Sequence, residues 1–225
     1  MNNIKMLNSD FRNVMDFIKD DFTIITYPPY NINYNYNSYN DNLPEKDYIN
    51  LISSFKNKKL AIIHYPEETM KYFIPALGVP DVVNTWCYNS NLPNRQHRLI
   101  NFYNLKPDYK KVLQPFKNPN DKRIKERIKK GVKGARSYDW FNDIQLVKNV
   151  TKQEHNHPCP VPVKLMERII KLTTKENDLI FDPFAGSGTT AIACINTKRR
   201  FVGTEIDSIY YDMAIDRISK GGDFN

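Results

Sequence analysis

Leu179 to Thr190 read LIFDPFAGSGTT. The apolar run from Asp178 to Phe181 has the content of a buried strand. Gly186 and Gly188 follow Asp182, and the small and apolar residues from Thr189 to Ile195 read as the start of a helix. Glycines at such a junction let the backbone bend tightly and let a ligand approach it closely. The helix start adds free N–H groups and a partial positive charge. Phe201 to Glu205 is the next strand, and it ends in Glu205-Ile206-Asp207. An acid about twenty residues beyond the glycines, at the end of a second strand, is where ribose hydroxyls are bound. Strand, turn, helix, strand and acid in this order point to a nucleoside-containing ligand; a plain tight turn is the alternative. Asp182 argues against a dinucleotide, because a buried carboxylate repels a pyrophosphate. It suits a ligand carrying an amino group or a sulfonium. No Gly-Lys-Ser/Thr follows the turn, so a P-loop is excluded.

The rest of the chain keeps the same alternation. Ile4 to Leu7 is a short apolar run. Phe11 to Ile18 has helical spacing, and Phe22 to Thr26 (FTIIT) reads as a fully buried strand that stops at Pro28-Pro29. Residues 31–42 form an Asn/Tyr segment of turn-formers, read as a mobile surface loop. Pro44 to Phe55 reads as a helix, and Lys59 to Tyr65, Val82 to Tyr88 and Leu99 to Tyr103 as strands. Val163 to Leu172 and Tyr210 to Ile218 read as helices. No internal repeat appears. Strands alternating with helices predict an α/β fold with a mainly parallel, doubly covered sheet.

The chain has 225 residues, a length that suits one domain (1–225) with a core needing no staple. The three cysteines, Cys87, Cys159 and Cys194, lie far apart, which excludes a disulfide scaffold or zinc finger and fits a reducing compartment. No metal site is expected. No apolar run approaches the ~20 residues a membrane helix needs, and the N-terminus lacks a signal-peptide layout. A cytoplasmic protein with no membrane partner is the expectation.

Net charge is +8, but it is unevenly placed. Arg95 to Arg136 holds fourteen Lys/Arg against three Asp/Glu. A basic block on a near-neutral body is the footprint of a polyanion-binding surface; a solvated basic face is the bland alternative. Within the block, Asp121 to Lys130 reads as a capped helix with a narrow Ile124/Ile128 stripe, stopped by Gly131. Lys122, Arg123, Lys125, Arg127, Lys129 and Lys130 cover its remaining surface.

A second signal stands after FTIIT, at Thr26-Tyr27-Pro28-Pro29-Tyr30. Two prolines at a strand's carboxyl end make a rigid turn. A rigid carbonyl beside an aromatic face can hold a planar amine, with the Pro28 carbonyl accepting from it and Tyr30 stacking on its ring. Ligands of open α/β sheets sit beyond the carboxyl ends of the strands. An ordinary stiffened loop is the alternative for this motif alone.

Together the two ends resemble the S-adenosylmethionine-dependent DNA amino-methyltransferases, which modify N6 of adenine or N4 of cytosine. Asp182 to Thr190 matches the family's cofactor motif, and Tyr27 to Tyr30 is similar to its polar-Pro-Pro-Tyr signature. His157 to Pro162, followed by Leu165 to Arg168, looks like the segment that precedes the cofactor motif. The Pro-Pro-Tyr motif comes first here, which is the circularly permuted order of the β group. The likeness covers roughly residues 1–55 and 155–218. It implies a Rossmann-like class I methyltransferase fold with a basic target-recognition insertion at 90–155. It implies double-stranded DNA as partner, a restriction-modification setting and, as in many relatives, a homodimer.

The resemblance also gives residues roles. Asp10 and Phe11 would contact the cofactor adenine, and Asp182 its amino group. Phe184, Gly186 and Gly188 would line the cofactor, with Thr189 and Thr190 at the helix start. Glu205 would hold the ribose, Ile206 would be a further cofactor contact, and His157 and Pro158 would close over the cofactor from the side. Tyr27, Pro28, Pro29 and Tyr30 would receive a flipped base whose amine attacks the methyl directly. Arg95, Arg98 and the basic helix would contact DNA. Adenine leads as target, because Asn31-Ile32-Asn33-Tyr34 looks like adenine-modifying members.

Position 27 departs from the pattern. Asp, Asn or Ser usually stands before Pro-Pro-Tyr, each a short acceptor. The phenol of Tyr27 reaches several ångströms further on a rigid ring. The phenol turns away and the backbone carbonyl suffices, or the chain is a weakly active binding member, or the residue is an altered one in an active sequence. Cytosine-N4 transfer, a methyltransferase for RNA, protein or a small molecule, and a non-catalytic DNA-binding subunit are the rival readings.

Overall fold

A computed structural model describes residues 3–34, 36, 39–91, 93–147 and 161–221. In chain order the strands are β1 (Ile4–Asn8), β2 (Phe22–Thr26), β3 (Leu60–His64), β4 (Val82–Cys87), β5 (His97–Tyr103), β6 (Leu113–Gln114), β7 (Ala135–Arg136), β8 (Trp140–Phe141), β9 (Leu179–Asp182) and β10 (Arg200–Glu205). The helices are α1 (Glu45–Ser53), α2 (Pro66–Glu68), α3 (Ile74–Leu77), α4 (Lys122–Lys129), α5 (Val163–Thr173), α6 (Thr189–Thr197) and α7 (Ser208–Ser219).

Eight strands form one sheet in the order β1-β10-β9-β2-β3-β5-β4-β8. Only β5 runs against its neighbours β3 and β4; the other pairings are parallel. This is the mainly parallel, doubly covered sheet expected from the alternation of strands and helices. The alternation along β3 shows why both faces are filled. Ala61 and Ile63 join one core with Trp86, α5 and α6, while Leu60 and Ile62 join the other with Phe11, Tyr48, Ile52 and Phe55. A period of two on a strand buried on both faces produces this split.

β9 and β2 sit side by side at the centre, and the chain winds outward from them in both directions. That is the topological switch point, where a crevice opens beyond the carboxyl ends of the strands.

Three expectations change. Phe11 to Ile18 is not an α-helix but two 3-10 turns, Phe11–Asn13 and Met15–Phe17, separated by Val14 at φ −120°. The strand expected at Leu99 to Tyr103 starts at His97 and is the antiparallel one. The Asn/Tyr loop is anchored: the Asp41 carboxylate accepts from the N–H groups of Asn31, Ile32 and Tyr34, and the Asn31 side chain bonds both backbone groups of Leu43. One buried acid thus supplies the partners that a loop without strands lacks. A helical stretch at 66–77, with a π-turn at Thr69–Phe73, adds to the elements expected from the sequence. Among the described residues no helix is long and apolar enough to cross a membrane.

Candidate active site

A cavity of about 570 Å³ lies beyond the carboxyl ends of the central strands. Each strand contributes the residues that follow it. Ser9, Asp10 and Phe11 come from β1, Tyr27 and Pro29 from β2, Phe184 and Gly186 from β9, and Glu205, Ile206 and Asp207 from β10. The two ends singled out in the sequence therefore meet on one cavity. Leu43, Leu51, Tyr36 and Tyr39 also line it; Leu51 belongs to the apolar face of the helix expected at Pro44 to Phe55, whereas the sequence carried no periodic signal for the other three.

The apolar side is aromatic. Phe11 packs against Phe184 and Phe55, with ring centroids 5.2 Å away in each case. The polar side carries Asp10, Asp47, Glu205 and Asp207, with Arg12 as its cation. Glu205 accepts from the Gly186 N–H at 2.9 Å and from the Asp207 N–H at 2.9 Å. Burial raises its pKa, and those two N–H groups act against the shift. Asp207 caps α7 through the N–H groups of Ile209 and Tyr210. Asp10 lies lower than an ordinary carboxyl because the Arg12 guanidinium bonds it at 2.6 Å.

Asp182 does not line the cavity. It is 2% exposed, and its carboxylate accepts from Thr26 at 2.7 Å, Thr190 at 2.5 Å and the Phe184 N–H at 3.1 Å. Burial pushes it up to about 6, against the pull of those three donors. It ties β2 to the turn and to α6. Thr189 and Thr190 are buried behind the turn with it. Gly186 at φ 51° lines the cavity, whereas Gly188 at φ 78° faces α7, where a Cβ would sit 3.1 Å from that of Ala214. Gly188 is thus required by conformation and packing. Pro28 is buried and outside the cavity wall. His157 and Pro158 lie outside the described residues.

The donor set fits a sulfonium nucleoside: aromatic walls for a flat ring, a strand-end carboxylate for hydroxyls, and acids around a cation.

Tyr30 is not an open platform. It is 3% exposed, and the rings of Tyr27, His64 and Tyr65 surround it at 5.3, 4.8 and 5.1 Å. Its hydroxyl is buried without a hydrogen-bond partner among the described residues. His64 is pushed down to about 3, first by burial and then by the Arg98 and Arg95 cations, so it is neutral. The Pro29 carbonyl accepts from the Tyr48 hydroxyl at 2.5 Å, which stiffens the corner.

The basic residues divide into two groups. Those of α4 are exposed, and the helix has no buried residue; its Asp121 cap bonds the N–H groups of Arg123 and Ile124. Arg95 and Arg98 are placed differently. Arg95 lies against Glu68 at 3.4 Å and over the Tyr65 ring. Arg98 is 6% exposed inside the sheet, so a surface phosphate contact is not what its position allows.

Fold and site define an S-adenosylmethionine-dependent methyltransferase of class I. The DNA methylase family profile matches residues 22–216, and the chain belongs to that family of amino-methyltransferases. It is 29% identical to the Type II methyltransferase M.BglII of Bacillus subtilis, over 98% of this chain and 70% of that protein. It is 41% identical to the Type II methyltransferase M2.DpnII of Streptococcus pneumoniae, over 36% of this chain and only 30% of that protein. Among solved structures, the PvuII DNA methyltransferase (cytosine-N4-specific) has the same fold, with a TM-score of 0.66, 18% identity, and coverage of 96% of this chain and 86% of that one.

Proposed function

We propose that this chain methylates the exocyclic amine of a base flipped out of double-stranded DNA, with N6 of adenine as target. The observation that carries the proposal is one cavity lined both by Tyr27 and Pro29 and by Gly186 and Glu205. A methyl donor and a nucleobase must share one space for direct transfer.

When bound, S-adenosylmethionine supplies an electrophilic methyl on a sulfonium. Phe11 and Phe184 provide the apolar walls for its flat ring. Glu205 accepts from ribose hydroxyls, and Asp10, Glu205 and Asp207 complement the positive charge. Asp182, through Thr26, Thr190 and Phe184, holds the turn in shape. On the base side, the double proline sets a fixed corner. The Pro28 carbonyl and the Tyr30 ring, buried just behind Tyr27 and Pro29, are the groups that would meet the amine and the base plane once the rings around Tyr30 make room. Fixed dipoles there stabilise the positive charge that develops on the attacking nitrogen. No side-chain nucleophile is needed. A base inside a duplex cannot reach so enclosed a site, so it leaves the stack. Lys122, Arg123, Lys125, Arg127, Lys129 and Lys130 neutralise phosphates while this happens. Residues 90–155 form the target-recognition region.

The test is incubation with methyl-labelled S-adenosylmethionine and unmethylated duplexes of varied sequence, then digestion to nucleosides. Label in N6-methyladenine is the expected result. Label in N4-methylcytosine would move the target to cytosine. Label in RNA or peptide but not in DNA would overturn the proposal.

A further inference from the structure

Arg98 is the second residue of β5, at the carboxyl edge of the sheet, where Tyr27, Tyr65 and Trp86 also stand. Its Cζ lies 5.4 Å from the ring of Tyr27, 5.8 Å from Tyr30, 4.8 Å from Tyr65, 5.2 Å from Trp86 and 4.9 Å from Tyr88. Its Nη2 donates to the Tyr65 hydroxyl at 3.0 Å. A guanidinium prefers the faces of aromatic rings, and the attraction grows as water is excluded. One buried cation therefore lies against five rings. Two of them, Tyr27 and Tyr30, belong to the double-proline motif.

The rings matter because of where they sit. Tyr27 stands nearly edge-on to Tyr30, at 76° and 5.3 Å, and also lines the cavity. Of the rings around Tyr30, Tyr27 is the one that faces the cavity, and it lies against Arg98. Arg98 itself is absent from the cavity wall and nearly inaccessible.

We infer that Arg98 is a positioning residue for the target base: its ring cage fixes Tyr30 and sets how Tyr27 yields when a base enters. The inference rests on the proposed delivery of a base to the Tyr30 face. It differs from a phosphate contact, which needs an exposed cation.

The experiment compares the unchanged protein with Arg98→Met and Arg98→Lys, all in a Trp140→Phe background. The chain has two tryptophans, so Trp86 of the cage is then the only one. Steady-state transfer to unmethylated DNA, the salt dependence of DNA binding and Trp86 emission are measured. The expected result for Arg98→Met is a fall in kcat on the order of tenfold or more, because misplacing a positioning group is costly. Its salt slope and S-adenosylmethionine affinity stay unchanged. Arg98→Lys recovers part of kcat, since it keeps a cation among the rings. DNA shifts Trp86 emission in the arginine protein and not in Arg98→Met.

A salt slope reduced by about one with kcat intact would mark a phosphate contact and overturn the inference. Unchanged kcat and emission in both variants would also overturn it. If Arg98→Met does not fold, Arg98→Lys carries the same comparison. Should the background protein transfer no methyl at all, the methyltransferase proposal fails by itself. Trp86 emission then decides: a DNA-induced shift that needs Arg98 supports the cage, and no shift contradicts it.

Discussion

The Gly186 N–H donates to the Glu205 carboxylate at 2.9 Å, joining the turn after β9 to the end of β10. The same carboxylate holds the Asp207 N–H, so one acid fixes both rims of the cavity. Glu205→Gln keeps the shape but replaces one acceptor oxygen with an amide that donates. One of the two N–H groups loses its partner, and a ribose hydroxyl loses a charged acceptor. Calorimetry should show S-adenosylmethionine affinity weaker by about ten- to a hundredfold, the worth of a charge-assisted hydrogen bond. An unchanged affinity would remove Glu205 from the site.

Asp182 makes the fold pH-dependent. Its folded-state pKa of about 6 lies above the ordinary carboxylate value, so the folded state binds its proton more tightly than the unfolded chain. The contribution of this group is fully present below about pH 4 and is lost as pH rises through about 6. Above that range the buried charge costs on the order of 3 kcal/mol. Asp182→Asn should therefore be at least as stable as the unchanged protein at pH 8. The stability difference between the two should vary between about pH 4 and 6 and flatten above. His64, held neutral by burial, titrates alike in both proteins and drops out of the difference. Urea titrations across the range measure this. A markedly less stable Asn variant at pH 8 would contradict the shift.

Tyr27 fills space beside Tyr30 that a short acceptor would leave open. Tyr27→Asp restores an acceptor for the amine and places it beside the Arg98 cation. Initial rates of methyl transfer to duplex DNA should rise. Equal or lower rates would show that the phenol itself serves the reaction.

The face of α4 is open to solvent, and its charges touch no core. Replacing Lys122, Lys125 and Lys129 by Ser should leave the melting temperature nearly unchanged and weaken DNA binding. The slope of log affinity against log salt should become less negative by roughly 0.9 for each phosphate that is no longer neutralised. A triple variant with the original slope would move the DNA interface elsewhere.

The frame of the site is legible in the sequence because its signals are local. The strand, glycines and helix of Leu179 to Thr197 need only neighbouring residues, and so does the acid closing β10. FTIIT and the double proline are readable for the same reason. What escapes reading depends on distant partners. The Asn/Tyr segment has no periodicity, yet Asp41 pins it through three N–H groups. Asp182 shares the motif of Gly186, but Thr26 and Thr190 turn its carboxylate away from the cavity. Arg98 sits in a basic run that looks exposed, and only the pairing of β5 with β3 and β4 buries it. The direction of β5 carries no mark in its composition. Tyr65, at the end of a fully buried strand, is the one available hint that another aromatic stands on the carboxyl edge.

The central claim is that one cavity holds the methyl donor against the double-proline corner. Isotope-edited NMR with S-adenosylmethionine labelled with carbon-13 at its sulfonium methyl tests this most directly. The account predicts nuclear Overhauser contacts from that methyl to Tyr27 and Pro29, and from the ligand's adenine protons to Phe11 and Phe184. A bound ligand whose methyl contacts neither Tyr27 nor Pro29 would contradict it.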